Sequence, residues 1–459
     1  MELDSQHEST TPPHHPTAGV RLRSDQIRDI VRAAVPGAEL ISVTPLPSGR
    51  SFNNRIYFLA LRHRPSGLDP RPLEEEEEEQ PLHEAVLKVN GRFFGGLKVQ
   101  NEVACLLLLH RHCPHLPVPR ALAWSEDGLA VTRAPVPLRA ASPPDAAAFE
   151  RATTQATGHG GWILMTRLPG EPLTSVSLDD DDPEEAGAGV AAQLADMVAT
   201  WRHQIPAQRH CGNVGLGRAG HGTDGLEIRG FLADGIESAE PVAGVNAFYR
   251  LRLADRLHEL ESAETYAPNR RLAAPLRAFM AETLPHLALA DQQPSSCPAG
   301  GGPFFFTHYD LSPRNVLVSG RRPLRVTGVV DFEFAGFLTP LDEFLNDHVG
   351  NGGDWPAAFY QDYLERLERR GVATPLGTVR RDVWNRCLWL ETLLTSIAPW
   401  ELPGGLDEAE LVARLARAEL VVRSMLERLR RPAEQHWEPP ARYGEAADAV
   451  NEGVCFGDQ

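Results

Sequence analysis

The chain has 459 residues, 42% of them hydrophobic, which is enough for more than one core. Its formal net charge of −17 is concentrated, because the glutamates at 74–79 supply six negative charges and residues 179–182, 184 and 185 supply six more. The body is only mildly acidic, which argues against a nucleic-acid partner. The six cysteines, at 105, 113, 211, 297, 387 and 455, have neither metal-ligand spacing nor the density of a disulfide scaffold, so free thiols in a reducing cytoplasm are expected. No apolar run approaches the ~20 residues of a membrane span, and the polar start Met1 to Pro16 lacks a signal-peptide apolar region, so no membrane partner is expected.

In chain order, residues 1–20 are polar and Pro-rich and read as a disordered tail. Ser24 is expected to cap a helix with Ile27, Ile30 and Val31 on one face, ended by Pro36 and Gly37. Residues 41–61 read as a hairpin turning through Leu-Pro-Ser-Gly-Arg-Ser-Phe-Asn-Asn at 46–54, with the return strand at 56–59. Gly49 lets backbone N–H groups approach an anion, and Ser48, Ser51 and Asn53 carry side chains able to donate to one. Taken alone, such a turn is more often an ordinary hairpin. Residues 62–82, with Pro65, Pro70, Pro72 and the six glutamates, have no apolar face and read as an exposed insertion.

The strand at 83–89 carries Lys88. The helix at 98–112, with Val99, Val103, Leu106 and Leu107 on its apolar face, carries Glu102. Seen singly, either would be a solvated surface charge; in this order they are candidates for an ion pair. Residues 116–124 read as a loop and strand, 134–161 as a second insertion with a short helix near 146–152, and 162–168 as an apolar strand stopped by Pro169 and Gly170. The acidic run 179–185 leads into a helix at 188–203, where carboxylates suit the positive end of the dipole, at roughly 0.3–1 kcal/mol each. Attraction of a cationic substrate is the sharper alternative. Residues 211–217, Cys-Gly-Asn-Val-Gly-Leu-Gly, lack the strand before and helix after that a dinucleotide fingerprint needs, and read as a β-turn segment. Helices are expected at 247–260, 271–284, 357–369, 379–398 and 406–430, a buried strand at 304–306, and a loose tail from 431.

The densest motif is His308-Tyr-Asp310-Leu-Ser-Pro-Arg-Asn315, followed by Asp331-Phe-Glu333. The spacing His-x-Asp-x-x-x-x-Asn is that of a kinase catalytic loop, in which the Asp accepts the proton of an attacking hydroxyl and the Asn holds magnesium. Asn315 opens an apolar run, 316–318, that turns at 319–323 into a second, 324–332. That hairpin would bring Asn315 and Asp331 onto adjacent backbones. One amide and one carboxylate suffice for Mg²⁺, which keeps waters and takes its other oxygens from substrate phosphates. His308 is expected to be a packed scaffold residue, and Arg314 either a phosphate contact or a surface charge.

At these residues the chain resembles the aminoglycoside phosphotransferase and choline kinase-like family, and within it the many fungal members. The Asp-Phe-Glu triplet departs from the Asp-Phe-Gly of typical protein kinases and is similar to the Asp-x-Glu or Asp-x-Asp of small-molecule kinases. The resemblance spans about residues 40–430 in motif order and is specific at the two catalytic motifs. It implies an α+β, two-lobed protein kinase-like fold: an N-lobe at 21–168 with a small antiparallel sheet and one key helix, a mainly helical catalytic and acceptor-binding C-lobe at 169–430, and a tail at 431–459. It implies nucleotide binding by Ser48, Gly49, Ser51, Asn53, Lys88 and Glu102, and by Met165, Thr166 and Leu168, with Arg167 between them, at the hinge strand. Catalysis would fall to Asp310 with Asn315 and Asp331, the last two as metal ligands, and a carboxylate at Asp342 or Glu343 would support the loop. The implied cofactors are ATP, with GTP as the alternative, and Mg²⁺. The implied acceptor is a small-molecule hydroxyl, cationic if the acidic run faces it. A silent nucleotide-binding scaffold and a protein kinase-like enzyme are the rival readings, the second disfavoured by Glu333 and by the lack of an Ala-Pro-Glu segment.

Overall fold

The computed structural model describes residues 15–47, 50–63, 83–93, 95–134, 150–154, 160–175, 183–217, 226–236, 242–290, 302–319, 323–345, 355–399, 402 and 406–431. The chain divides into two compact units, the first made of Met1–Gly170, Val214–Glu227 and Thr327–Phe334, the second of Glu171–Asn213, Ile228–Val326 and Ala335–Gln459. Hydrogen bonds tie the later segments to the first: Val329 N–H donates to Pro117 O at 3.0 Å, and Val214 N–H donates to the Asn101 side-chain oxygen at 2.6 Å.

The first unit is built on a seven-stranded sheet. Its strands are β1 (Ala38–Pro45), β2 (Asn54–His63), β3 (His83–Asn90), β4 (Ala121–Ser125), β5 (Ala130–Arg133), β6 (Glu150–Thr153) and β7 (Trp162–Thr166), in the spatial order β1-β2-β3-β7-β4-β5-β6. Alternation along β3 sorts its side chains onto two faces. Ala85, Leu87 and Val89 join Tyr57, Leu59, Leu61, Trp162 and Leu164 in one buried core. Helix α1 (Ser24–Ala34) covers that face with Ile27, Ile30 and Val31, as its 3-4 spacing predicts. Ser24 is the first helical residue and not the cap; Arg23 holds the cap position, where its N–H donates to Gln26 Oε1 at 2.9 Å.

The opposite face of the sheet carries Asn54, Lys88 and Met165, placed there by the pairings Asn54↔Asn90, Ile56↔Lys88 and Val86↔Met165. Helix α2 (Gly95–His112) lies on this side and begins three residues before the expected start at 98. Of the helix expected near 146–152, residues 146–149 lie outside the described residues, and 150–152 belong instead to strand β6. Its pairing with β5, from Ala130↔Thr153 to Arg133↔Glu150, satisfies the backbone through a sheet edge, which local Ala content does not foresee. Residues 15–20, expected in the tail, are also placed: Arg92 N–H donates to Pro16 O at 2.9 Å and Val20 is buried.

The second unit is mainly helical, with Pro183–Gln204, Val245–Ser262, Ala357–Arg369, Arg381–Ile397 and Glu408–Arg430 close to their expected ranges. The stretch expected as a helix at 271–284 begins in a 3-10 segment, Glu264–Leu272, which contains Pro268. It continues through Ala273–Ala278 into a π-turn at Phe279–Thr283. The segment expected as a β-turn at 211–217 is instead the strand Gly212–Leu216, which pairs with Gly336–Leu338 through Gly336↔Asn213. Glycine is required at 336, where a Cβ would stand 2.6 Å from the Gly212 carbonyl oxygen. Among the described residues no helix is long and apolar enough to cross a membrane, and Cys105, Cys113, Cys211 and Cys387 are buried free thiols.

Candidate active site

In the first unit a lysine and three carboxylates meet. Lys88, 6% exposed, places Nζ 2.6 Å from Glu102 Oε2, 2.5 Å from Asp331 Oδ1 and 2.9 Å from Glu333 Oε2. The expected pair with Glu102 is therefore formed, and it is extended by both acidic residues of the second motif. Burial opposes the charge on Lys88, but Asp331, Glu102 and Glu333 outweigh it and hold the ammonium pKa well above its ordinary value. Burial would likewise raise the Glu333 carboxyl, yet Lys88 and Lys98 prevail and hold it well below the usual range. The oxygens of Glu102, Asp331 and Glu333 lie within 4.8 Å of one another, a spacing that suits a cation. Here the cation is the Lys88 ammonium itself.

A second buried lysine lies beside this cluster. Lys98 Nζ donates to Asn54 Oδ1 at 2.8 Å and to the Asn53 carbonyl at 3.3 Å, and stands 3.4 Å from Glu333. Glu333 also accepts from the amides of Asn53 (2.9 Å) and Asn54 (2.6 Å). Asn53 thus directs its amide to Glu333, which ties the turn in place. Ser51 is half-buried at the same turn, while Ser48 and Gly49 lie outside the described residues. Of the hinge residues, Met165 is buried on the Lys88 face. Thr166 N–H donates to the Arg120 carbonyl, and its hydroxyl oxygen accepts from Arg120 N–H, both at 2.9 Å. Leu168 packs where a Cβ at Gly328 would come within 2.5 Å of its Cδ1. Arg167 reaches Glu84 at 2.9 Å.

The first motif is mounted in the second unit. Phe304 and Phe306 are fully buried at its base, and Phe305–Thr307 pairs with Gly336–Leu338. His308 is buried, and its N–H donates to Glu343 Oε2 at 3.1 Å. Glu343 is tied in turn to Arg202 at 3.2 Å. Glu343, not Asp342, is thus the carboxylate beneath the loop; Asp342 accepts from Thr339 N–H at 2.6 Å. A 3-10 turn, Pro313–Asn315, brings Asn315 back onto Asp310. The Asn315 amide donates to the Asp310 carbonyl at 2.8 Å and to Asp310 Oδ2 at 3.2 Å, leaving its own oxygen as the atom to offer a cation. Arg314 pairs with Asp310 Oδ1 at 2.7 Å. The hairpin that follows closes through Ser319 N–H to Arg325 O at 2.9 Å. Tyr309 (φ 73°) and Asp331 (φ 71°) are the described non-glycine residues with positive φ, and each sits inside a motif. Such backbone strain persists where packing over-determines it, characteristically at functional sites.

The pattern of the phosphotransferase enzyme family matches residues 77–377, about two thirds of the chain. The chain belongs to this family. Its fold is α+β. No curated protein matches the chain. Among solved structures it is similar to the streptomycin–ATP–APH(2'')-IIa ternary complex at 12% identity, covering 89% of this chain and 99% of that one, with a TM-score of 0.49. ADP-bound aminoglycoside phosphotransferase APH(2'')-Ib is similar at 11% identity, covering 88% and 99%, with a TM-score of 0.48. A fructosamine-3-kinase described as putative, from Thermobifida fusca, is similar at 15% identity, covering 87% and 99%, with a TM-score of 0.44.

In this phosphotransferase the sequence reading passed over Lys98, Asn101 and Asn54, and took Glu333 only as the last letter of a motif. Asn101 donates to the Glu333 carbonyl at 2.8 Å. A signal was present: Lys98, Asn101 and Glu102 fall at i, i+3 and i+4 on an otherwise apolar helix and so share one face. Polar residues on a face that should be buried need partners, and the strand before the helix offers one of them, Lys88 for Glu102.

Proposed function

We propose that this phosphotransferase transfers the γ-phosphate of ATP to a hydroxyl of a small molecule in the cytoplasm, with magnesium as cofactor. The observation that supports this most is the Lys88–Glu102 ion pair in contact with Asp331, found in a chain of the phosphotransferase family. Lys88, kept protonated by its carboxylates, would bind the phosphates, with Ser51 and the backbone near Gly49 cradling them. Met165 would wall the base, and the strand ending at Leu168 would set its edge.

The donor chemistry of Asn315 and Asp331 fits a hard divalent cation, since one offers an amide oxygen turned away from its hydrogen bonds and the other a carboxylate. When bound, magnesium would neutralise charge on the phosphate oxygens. Asp310 would orient the acceptor hydroxyl and take its proton as the oxygen bonds to the γ-phosphorus and the bond to the ADP oxygen breaks. Arg314, paired with Asp310, would hold that carboxylate in one rotamer. The acidic run at 179–185, if it faces the acceptor, would attract a cationic one.

The test is Mg²⁺-dependent ATP consumption with a panel of amino sugars, quaternary amino alcohols and neutral sugars. Asp310→Asn is expected to lower turnover by about 10²–10⁴-fold, the range of general-base catalysis, while leaving ATP affinity near that of the wild type. Equal turnover in the variant removes Asp310 from the mechanism, and tight ATP binding without turnover on any acceptor favours a scaffold.

A further inference from the structure

Lys98 and Glu333 have no part in the mechanism above, yet both are charged and only 1% exposed. A buried ion pair is seldom more stabilising than an apolar pair of the same volume, so its presence calls for a geometric reason. The geometry supplies one. The Asn54 amide is gripped at both ends, its oxygen by Lys98 at 2.8 Å and its nitrogen by Glu333 at 2.6 Å. Asn53 is gripped in the same way, its carbonyl by Lys98 at 3.3 Å and its amide nitrogen by Glu333 at 2.9 Å. Both asparagines lie where the turn after β1 enters β2. The same Glu333 carboxylate reaches Lys88 at 2.9 Å, and its residue stands two places after Asp331, whose φ of 71° is held against local preference.

We propose that Lys98 and Glu333 form a positioning clamp: they fix residues 51–54 and the Asp331 backbone to one frame, so that the phosphate turn, Lys88 and the second motif keep a common geometry. Neither residue touches the nucleotide. The clamp rests on the phosphotransferase reading, because its purpose is to align groups around a triphosphate. Its effect is therefore specific to the phosphate end of the ligand. An undirected packing role would lower stability without distinguishing one nucleotide from another.

Calorimetric binding of Mg–ATP and of AMP to the full chain tests this, with thermal unfolding measured alongside. Lys98→Met removes one jaw while keeping the length of the side chain. Asn53→Ala, at a half-buried position, unties the turn and leaves the buried charges paired. Each variant is expected to weaken Mg–ATP binding about tenfold, equivalent to about 1.4 kcal/mol, with AMP binding within twofold of the wild type. Should Lys98→Met fail to fold, Asn53→Ala decides alone. A folded variant that binds Mg–ATP as the wild type does, or that loses AMP and ATP equally, overturns the clamp and leaves the phosphotransferase reading standing. A wild-type chain that binds no Mg–ATP overturns that reading and the clamp together.

Discussion

Asp342 is 1% exposed, and burial, reinforced by Glu391 and only partly offset by Arg252, pushes its carboxyl up to about 7. Between its ordinary value near 3.8 and about 7, the folded chain keeps a proton that the unfolded chain releases. Stability from this group therefore falls as pH rises through that window. Asp342→Asn keeps an oxygen to accept the Thr339 N–H and removes the charge, so the variant is expected to gain stability relative to the wild type at pH 8 compared with pH 5. Denaturant midpoints at the two pH values measure it, and an unchanged difference rejects the assignment. At this scale the sequence was most legible where a motif constrained it, as at Lys88 and Glu102. The choice between Asp342 and Glu343 was not legible, because adjacent residues on one helical turn point differently and only the partner, His308 N–H, decides.

Among the elements, strand β3 and helix α2 were readable from their apolar residues, although α2 is buried on more than the face its 3-4 spacing marks. Strand β6 was not, since an edge strand in an Ala-rich stretch depends on the neighbour it pairs with. The connection between β2 and β3 permits a sharper test. The register pairs Leu61 with His83, so the two strand ends already lie side by side. Replacing residues 64–82 by a short Gly-containing turn is expected to leave the unfolding temperature and Mg–ATP affinity unchanged while removing the six-glutamate run. A large fall in either would show that this stretch contributes to the fold or the site.

For the molecule as a whole, fold class and motif order were legible, whereas the assignment of 214–227 and 327–334 to the first unit was not. Hydrophobic pattern reports that a strand is buried and does not report which core receives it. The described helices of the second unit could be found from their own spacing. The completion of the first could not, because Asn101 finds its partners, and Lys98 its carboxylate, more than a hundred residues later.

That late partnership bears on how the chain is made. When residue 170 leaves the ribosome, Lys88 has Glu102 but Lys98 has no carboxylate to match Glu333, and an ammonium without its countercharge on a closing apolar layer resists closure. The amino-terminal half should therefore linger unfinished, and in reach of chaperones, until translation passes residue 334. A fragment comprising residues 15–170 is expected to unfold without a cooperative transition, and to gain one when a peptide covering 323–345 is supplied in trans. A sharp melt of the fragment by itself would mean that the first unit needs no help from downstream.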